Sequence, residues 1–278
     1  QSEGVNMKKS LIKILSVIIV ILFLLPIVYT LLHSFMDAYQ VQSYNTSFLP
    51  KVFSLHQYLK ITQKMEFFKL YINSIVISVS TIIGQLIISV GAAYFFSRTK
   101  SKIANAIFTI YVFLMILPLQ ITLISNVFLY NGIQRYVGIT IFDTKFAVIL
   151  PGVFSTMGVF FLKQFFSSMP ENLYEIARID GASNFQILTK IVLPYSKNSI
   201  LALCALNFIE SWNIIEQALI FINTPSKYPV SLYLNTLYAN DKNVFYAGSI
   251  LFIFPVIYLV MKSKEKIKNM ILENRRIV

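Results

Sequence analysis

Six stretches of the chain are apolar over about the 20 residues a helix needs to cross a bilayer. They run from about Ile14 to Leu32, Tyr71 to Phe96, Ile103 to Leu123, Phe146 to Leu162, Ser199 to Ile222 and Val244 to Met261. Polar connections separate them, and Ser34 to Leu70 is the longest. The pattern predicts an all-α integral membrane protein with about six transmembrane helices. Tyr29, Tyr71, Tyr94, Phe161 and Tyr258 fall near span ends, where amphipathic rings favour the headgroup level.

One connection carries a helical period of its own. Pro170 suits a first helical turn, and Ser168 with Glu171 has capping-box spacing, so a helix is expected to start near Pro170. Leu173, Ile176, Ala177 and Asp180 then share a face, and Gly181 suits the left-handed residue that ends a helix. Beyond it Phe185, Leu188, Ile191 and Val192 repeat at the same period until Pro194 breaks it. Residues 163–197 therefore predict a helix-turn-helix outside the bilayer. Its apolar stripe needs either a partner surface or a bed of lipid headgroups.

Composition agrees with the spans. A chain of 278 residues with 56% hydrophobic and 13% charged residues, and a mean hydropathy of +0.67, is too apolar for a soluble domain. The formal charge of +12 raises a nucleic-acid reading, which its distribution removes. With the N-terminus inside, the inner segments hold sixteen Lys and Arg and the outer segments eight. That bias orients residues 1–13, segment 163–197 and the basic tail 262–278 to the cytoplasm. The charge is a topology signal and a contact for membrane lipid, with no nucleic-acid partner. Cys204 stands alone inside a span, which excludes an intrachain disulfide, and no His or Cys spacing suggests a metal. Met7-Lys8-Lys9 and the following apolar run look like a secretory signal. The run is long, contains Pro26 and lacks a small-x-small cleavage site, so a retained first helix is expected. Gln1 to Asn6 precede Met7, the expected start residue, and read as a tag remnant.

The fifth span carries a polar band: Asn207, Glu210, Ser211, Trp212, Asn213, Glu216 and Gln217. Helical steps bring Glu210, Asn213 and Gln217 to one side, with Glu216 at its margin. An intramembrane carboxylate costs several kcal/mol unless it meets water or a partner, so the band should face a cavity or a neighbouring helix. Gln120, Gln85 and Asn126 add isolated polar positions in other spans.

Glu175, Ala177, Asp180, Gly181, Ile191, Leu193 and Pro194 stand in the register of the EAA coupling loop found in membrane subunits of ABC importers, with Ile176 in place of the first Ala. Further landmarks are Leu55 to Tyr58, Asn73-Ser74, Ala92-Ala93-Tyr94 with Arg98, Leu117-Pro118-Leu119-Gln120, and Phe165-Phe166 before Met169-Pro170. From roughly Leu55 to Tyr233 the chain resembles the MalG-like carbohydrate-uptake permeases. The resemblance implies that an ATPase docks on Glu175, Ala177, Arg178, Asp180, Gly181, Ala182, Ile191, Leu193 and Pro194. It also implies a second permease subunit, two ATPase subunits, an extracellular solute-binding protein and a place in a bacterial cell membrane. No cofactor belongs to this chain, which lacks Gly-x4-Gly-Lys-Ser/Thr, so ATP and Mg are expected in the partner ATPase. On a sugar path the amides and carboxylates of Glu210, Asn213, Glu216, Gln217 and Gln120 would meet hydroxyls, and Trp212 would stack on a pyranose face. The tail from Lys262 to Val278 departs from the group, having no glycine. A secondary transporter using Glu210 and Glu216 as proton carriers, a non-transporting subunit that docks an ATPase, and a non-sugar substrate remain open.

Overall fold

The computed structural model describes the backbone of residues 2–43, 47–63 and 65–274, and the side chains of 10–43, 47–63 and 66–262. Lys264, Lys266, Lys268, Arg275 and Arg276 of the basic tail lie outside the described side chains. The chain begins with α1 (Ser2–His33), α2 (Ala38–Gln42), α3 (His56–Gln63) and α4 (Met65–Arg98). Next come α5 (Lys102–Leu114), α6 (Leu119–Val137), α7 (Phe146–Val153) and α8 (Thr156–Ser168). Then α9 (Glu171–Ile179) and α10 (Asn184–Ile187) lead through a π-helical turn (Leu188–Val192) to α11 (Leu193–Tyr195) and α12 (Lys197–Trp212). The last helices are α13 (Glu216–Phe221), α14 (Val230–Asn240) and α15 (Lys242–Asn274).

Among the described residues, four stretches are helical, long and apolar enough to cross a membrane: Ser10–His33, Glu66–Arg98, Phe146–Ser168 and Lys242–Lys262. Two bent pairs, α5 with α6 at 104° and Asn184–Tyr195 with α12 at 75°, bring the count to as many as six. The spans expected at Ile103–Leu123 and Ser199–Ile222 are therefore not continuous helices. The first breaks between Leu114 and Leu119, where Pro118 has no N–H to continue the ladder, and α6 runs on to Val137. The second stops at Trp212 and resumes at Glu216. Hydropathy is blind to that interruption because Ile214 and Ile215 within it are themselves apolar.

The chain divides into two compact units. In residues 1–68 with 233–254, the Ser34 and Tyr58 hydroxyls bond at 2.7 Å, the Gln57 amide donates to the Met36 carbonyl, and Phe35 stacks on Phe53 at 4.7 Å. In residues 69–232 with 255–278, one core gathers Ile77, Leu123, Tyr130, Val148 and Phe221. A second gathers Ala93, Leu162, Phe166, Tyr174, Ile187, Val192 and Leu203. Here α4 meets α7 and α8 through small residues: a Cβ added to Gly84 would lie 2.6 Å from Val153, and one on Gly152 would lie 2.5 Å from Thr81. Such close backbone approach is how helices gain contact where lipid is as apolar as their side chains.

Candidate functional site

Two features of the second unit bear on function: the segment from α8 to α12, and a cavity beside the break between α12 and α13. In the first, Pro170 caps α9 without a side-chain bond. The expected box from Ser168 to Glu171 does not form, because the cap is Pro170, two residues after Ser168, which leaves Glu171 as the first helical residue. Ser168 donates to the Phe165 carbonyl instead, and Glu171 receives Arg98. A capping box does occur at the next helix, between Ser183 and Gln186. Gly181 adopts φ +77°, its N–H donating to the Arg178 carbonyl at 3.0 Å while Ala182 N–H reaches Ala177 at 2.9 Å. These two bonds form a Schellman ending, which needs a left-handed residue at Gly181.

Tyr174 and Ala177 form the buried face of α9, whereas Ile176 is 57% and Ile179 84% exposed. Ile176 thus faces away from Ala177, contrary to the periodicity reading, because the single-turn grouping ignored the 100° that separates consecutive residues. Phe185, expected on one apolar stripe with Leu188, Ile191 and Val192, is 74% exposed as well, while Ile187 and Val192 take the core positions. Pro194 does not end this limb. Leu193 N–H closes a π-type bond on Leu188, the helix carries through to Tyr195, and the bend comes after it. A widened turn before proline gives the ring room. Glu175, Arg178, Asp180 and Pro194 are exposed, Ala177 is buried, and Ala182, Ile191 and Leu193 are half-buried.

Arg98, at the end of α4, holds this segment in place. Its guanidinium donates to Glu171 Oε2 at 2.9 Å and to the Phe166 carbonyl at 2.7 Å, and it lies 3.7 Å above the Tyr174 ring. Burial raises the Tyr174 hydroxyl pKa, with Arg98 acting in the opposite direction.

The cavity measures about 340 Å³. Thr81 and Gln85 of α4, Gly152 and Ser155 of the α7–α8 junction, and Leu119 and Val148 form one side. Asn207, Glu210 and Ser211 of α12, with Asn213, Ile214, Ile215, Glu216 and Gln217 at the break, form the other. Four of the six expected path residues therefore fare differently from the other two. Glu210, Asn213, Glu216 and Gln217 do converge, although the broken helix, and not a continuous face, brings them together. Trp212 does not: it is fully buried, stacked on Phe208 at 5.3 Å and edge-on to Tyr71 at 5.2 Å, so no ligand can stack on it. Gln120 is exposed and outside the lining, its neighbour Leu119 taking that place. The Asn213 side-chain amide donates to the Ile209 carbonyl, and Ser231 Oγ donates to the Ile214 carbonyl within the break, which supplies that backbone group with a partner.

A third cluster, absent from the sequence reading, fixes the chain beyond α13. Asp143, at φ +57°, accepts bonds from Thr224 N–H, Thr224 Oγ1, Asn223 N–H and Lys227 Nζ at 2.6–3.0 Å. The Lys227 ammonium, then the Thr224 donors, hold its carboxyl well below the usual carboxylate range. Asn73 donates to the Ser226 and Tyr228 carbonyls on the other side of the same loop. Some 80 residues separate Asp143 from Thr224, and no local spacing announces such a pair. Among the described residues no cluster of His, Cys, Asp and Glu could hold a metal.

A helical chain with several apolar spans, a polar cavity beside a broken helix and a helix-turn-helix exposing large apolar residues is a multi-pass membrane protein of the transport class. It belongs to the family of binding-protein-dependent transport system inner membrane components, whose model matches residues 85–262. Membership makes it a transport component and not an enzyme. It is 28% identical to the arabinooligosaccharides transport system permease protein AraQ of Bacillus subtilis, over 87% of this chain and 86% of that one. It is 26% identical to a probable starch degradation products transport system permease protein, AmyC of Thermoanaerobacterium thermosulfurigenes, over 96% and 97%. The fold matches a crystal structure of a bacterial ABC transporter involved in import of the acidic polysaccharide alginate, with a TM-score of 0.79 at 22% identity over 94% of this chain and 96% of the other.

Proposed function

We propose that this chain is the permease subunit of an ATP-driven importer of a saccharide, in which residues 170–195 seat in an ATPase subunit and the cavity at Glu210, Asn213, Glu216 and Gln217 forms part of the substrate path. The observation that carries the reading is the unpartnered apolar edge of Ile176, Ile179 and Phe185 on a segment whose opposite face is locked into the core. Large apolar groups in that arrangement call for a protein partner. Glu175, Arg178 and Asp180 surround the edge and suit a polar rim. The relatives named for oligosaccharide uptake support the substrate class.

The complex would comprise this chain, a related second permease, two ATPase subunits holding ATP and Mg, and an external solute-binding protein. Both termini and the docking segment would face the cytoplasm of a bacterial cell, where the basic residues concentrate. ATP-driven closure of the ATPases would then move α9, and through Arg98 the end of α4, as one joint. Gly181→Val tests the docking role. The left-handed φ excludes a β-branched residue, so the turn should distort, and uptake should fall at least tenfold while the spans still assemble. Wild-type uptake by that variant at wild-type abundance would sink the idea.

A further inference from the structure

The cavity beside the α12–α13 break has an unusual charge and hydrogen-bond inventory. Asn207 is 3% exposed, and neither its Nδ2 nor its Oδ1 has a protein partner. Gln85, also on the lining, is 2% exposed with Nε2 unpartnered, and Gln217 Oε1 is unpartnered too. Exchanging the two amide atoms of Asn207 changes nothing, since both are orphaned. Buried amides persist without partners in a membrane protein only at a high penalty, so these groups call for a ligand that can both accept and donate. Hydroxyl groups do both; carboxylates and ammonium groups do one or the other. The same walls carry two exposed carboxylates, Glu210 and Glu216, and among the described residues no Lys, Arg or His lines the cavity to balance them.

We propose that this cavity binds a neutral, hydroxyl-rich saccharide unit, with Asn207 as its specificity-determining contact, and turns away saccharides that carry carboxylate or phosphate groups. This rests on reading the chain as an importer permease and adds the charge class of its cargo. Carboxylates accept from sugar hydroxyls, which strengthens neutral recognition. A like charge about 5 Å from one of them, at an effective dielectric of about 20, disfavours binding on the order of a hundredfold. A volume of about 340 Å³ lies at the lower end of the range for small-molecule sites and suits one or two sugar rings. The fold is shared with a transporter of an acidic polysaccharide, so on this proposal charge selection lies in the lining and not in the architecture.

The assembled complex, without its binding protein, provides the test. With Cys204 replaced by Ser and Ser155→Cys placed on the cavity wall, alkylation by N-ethylmaleimide is timed against a panel of neutral disaccharides and matched uronate disaccharides. At a concentration about ten times the dissociation constant, at least one neutral disaccharide should slow alkylation about tenfold, and no uronate should. Asn207→Leu, of similar volume, should abolish the protection and lower uptake of that sugar at least tenfold, while complex yield and melting temperature match or exceed wild type. A merely structural Asn207 would leave protection intact. Equal protection by uronates, or unchanged protection in Asn207→Leu, overturns the proposal. Absence of protection by every neutral sugar that wild-type vesicles import also overturns it. A wild-type complex that imports no saccharide at all would instead refute the importer reading, a result told apart by the vesicle assay alone.

Discussion

Removing Arg98 should release α9 from the end of α4. The guanidinium side chain is 11% exposed and makes three contacts at once: the Phe166 carbonyl, Glu171 and the Tyr174 ring. A charged donor to a shielded carbonyl contributes about 1.5–3 kcal/mol. The Glu171 pair counts for less than about 1 kcal/mol, because that carboxylate is 55% exposed and screened by water. Stacking of a partly desolvated cation on tyrosine adds roughly 1 kcal/mol. The three share one group and are not additive, so Arg98→Met should weaken the joint by about 3 kcal/mol, a shift of on the order of a hundredfold in local opening. Hydrogen exchange of the assembled complex in nanodiscs reads this directly. Amides of 171–179 should exchange more than tenfold faster, and those of α12 should not change. Arg98→Lys keeps the charge but not the fork and should fall between, while Glu171→Gln should have a small effect. Protection of α9 within twofold of wild type in Arg98→Met would refute the reasoning, and so would a Glu171→Gln variant as damaging as Arg98→Met.

The Asp143 clasp predicts a pH signature. Asn tolerates a left-handed φ, so Asp143→Asn isolates the loss of the carboxylate charge that faces Lys227 and should lower stability by about 1–2 kcal/mol once the exposure of Lys227 is discounted. A carboxyl depressed in the folded state stabilises fully above its ordinary range near pH 4 and loses that contribution as pH falls below it. The difference in melting temperature between wild type and variant should therefore stay constant from pH 7 to about pH 5 and shrink below about pH 4; a difference that vanishes by pH 6 would contradict the assignment. For topology, a cysteine at Ser183 should react with an impermeant reagent only in inverted vesicles, and one at Gln57 only in intact cells; labelling of Ser183→Cys in intact cells would reverse the orientation.

Much of the architecture was written locally in the sequence. Apolar runs located the spans at α1, α4, α7–α8 and α15 because burial in lipid requires unbroken apolar surface, and that requirement acts residue by residue. Gly181 was legible for the same reason: a left-handed turn depends on one residue's backbone freedom, as its φ of +77° bears out. What hydropathy could not register was where the helices break. The interruption at 213–215 contains two isoleucines, and only tertiary partners such as Ser231 on the Ile214 carbonyl make it tolerable. That break decided which polar residues meet, gathering Glu210, Asn213, Glu216 and Gln217 with Gln85 while turning Trp212 into the core between Phe208 and Tyr71. Arg98 with Glu171, and Asp143 with Lys227, lie 73 and 84 residues apart. Their pairing is a property of packed helices, since contacts between distant residues are set by how faces interlock and leave no period in the chain.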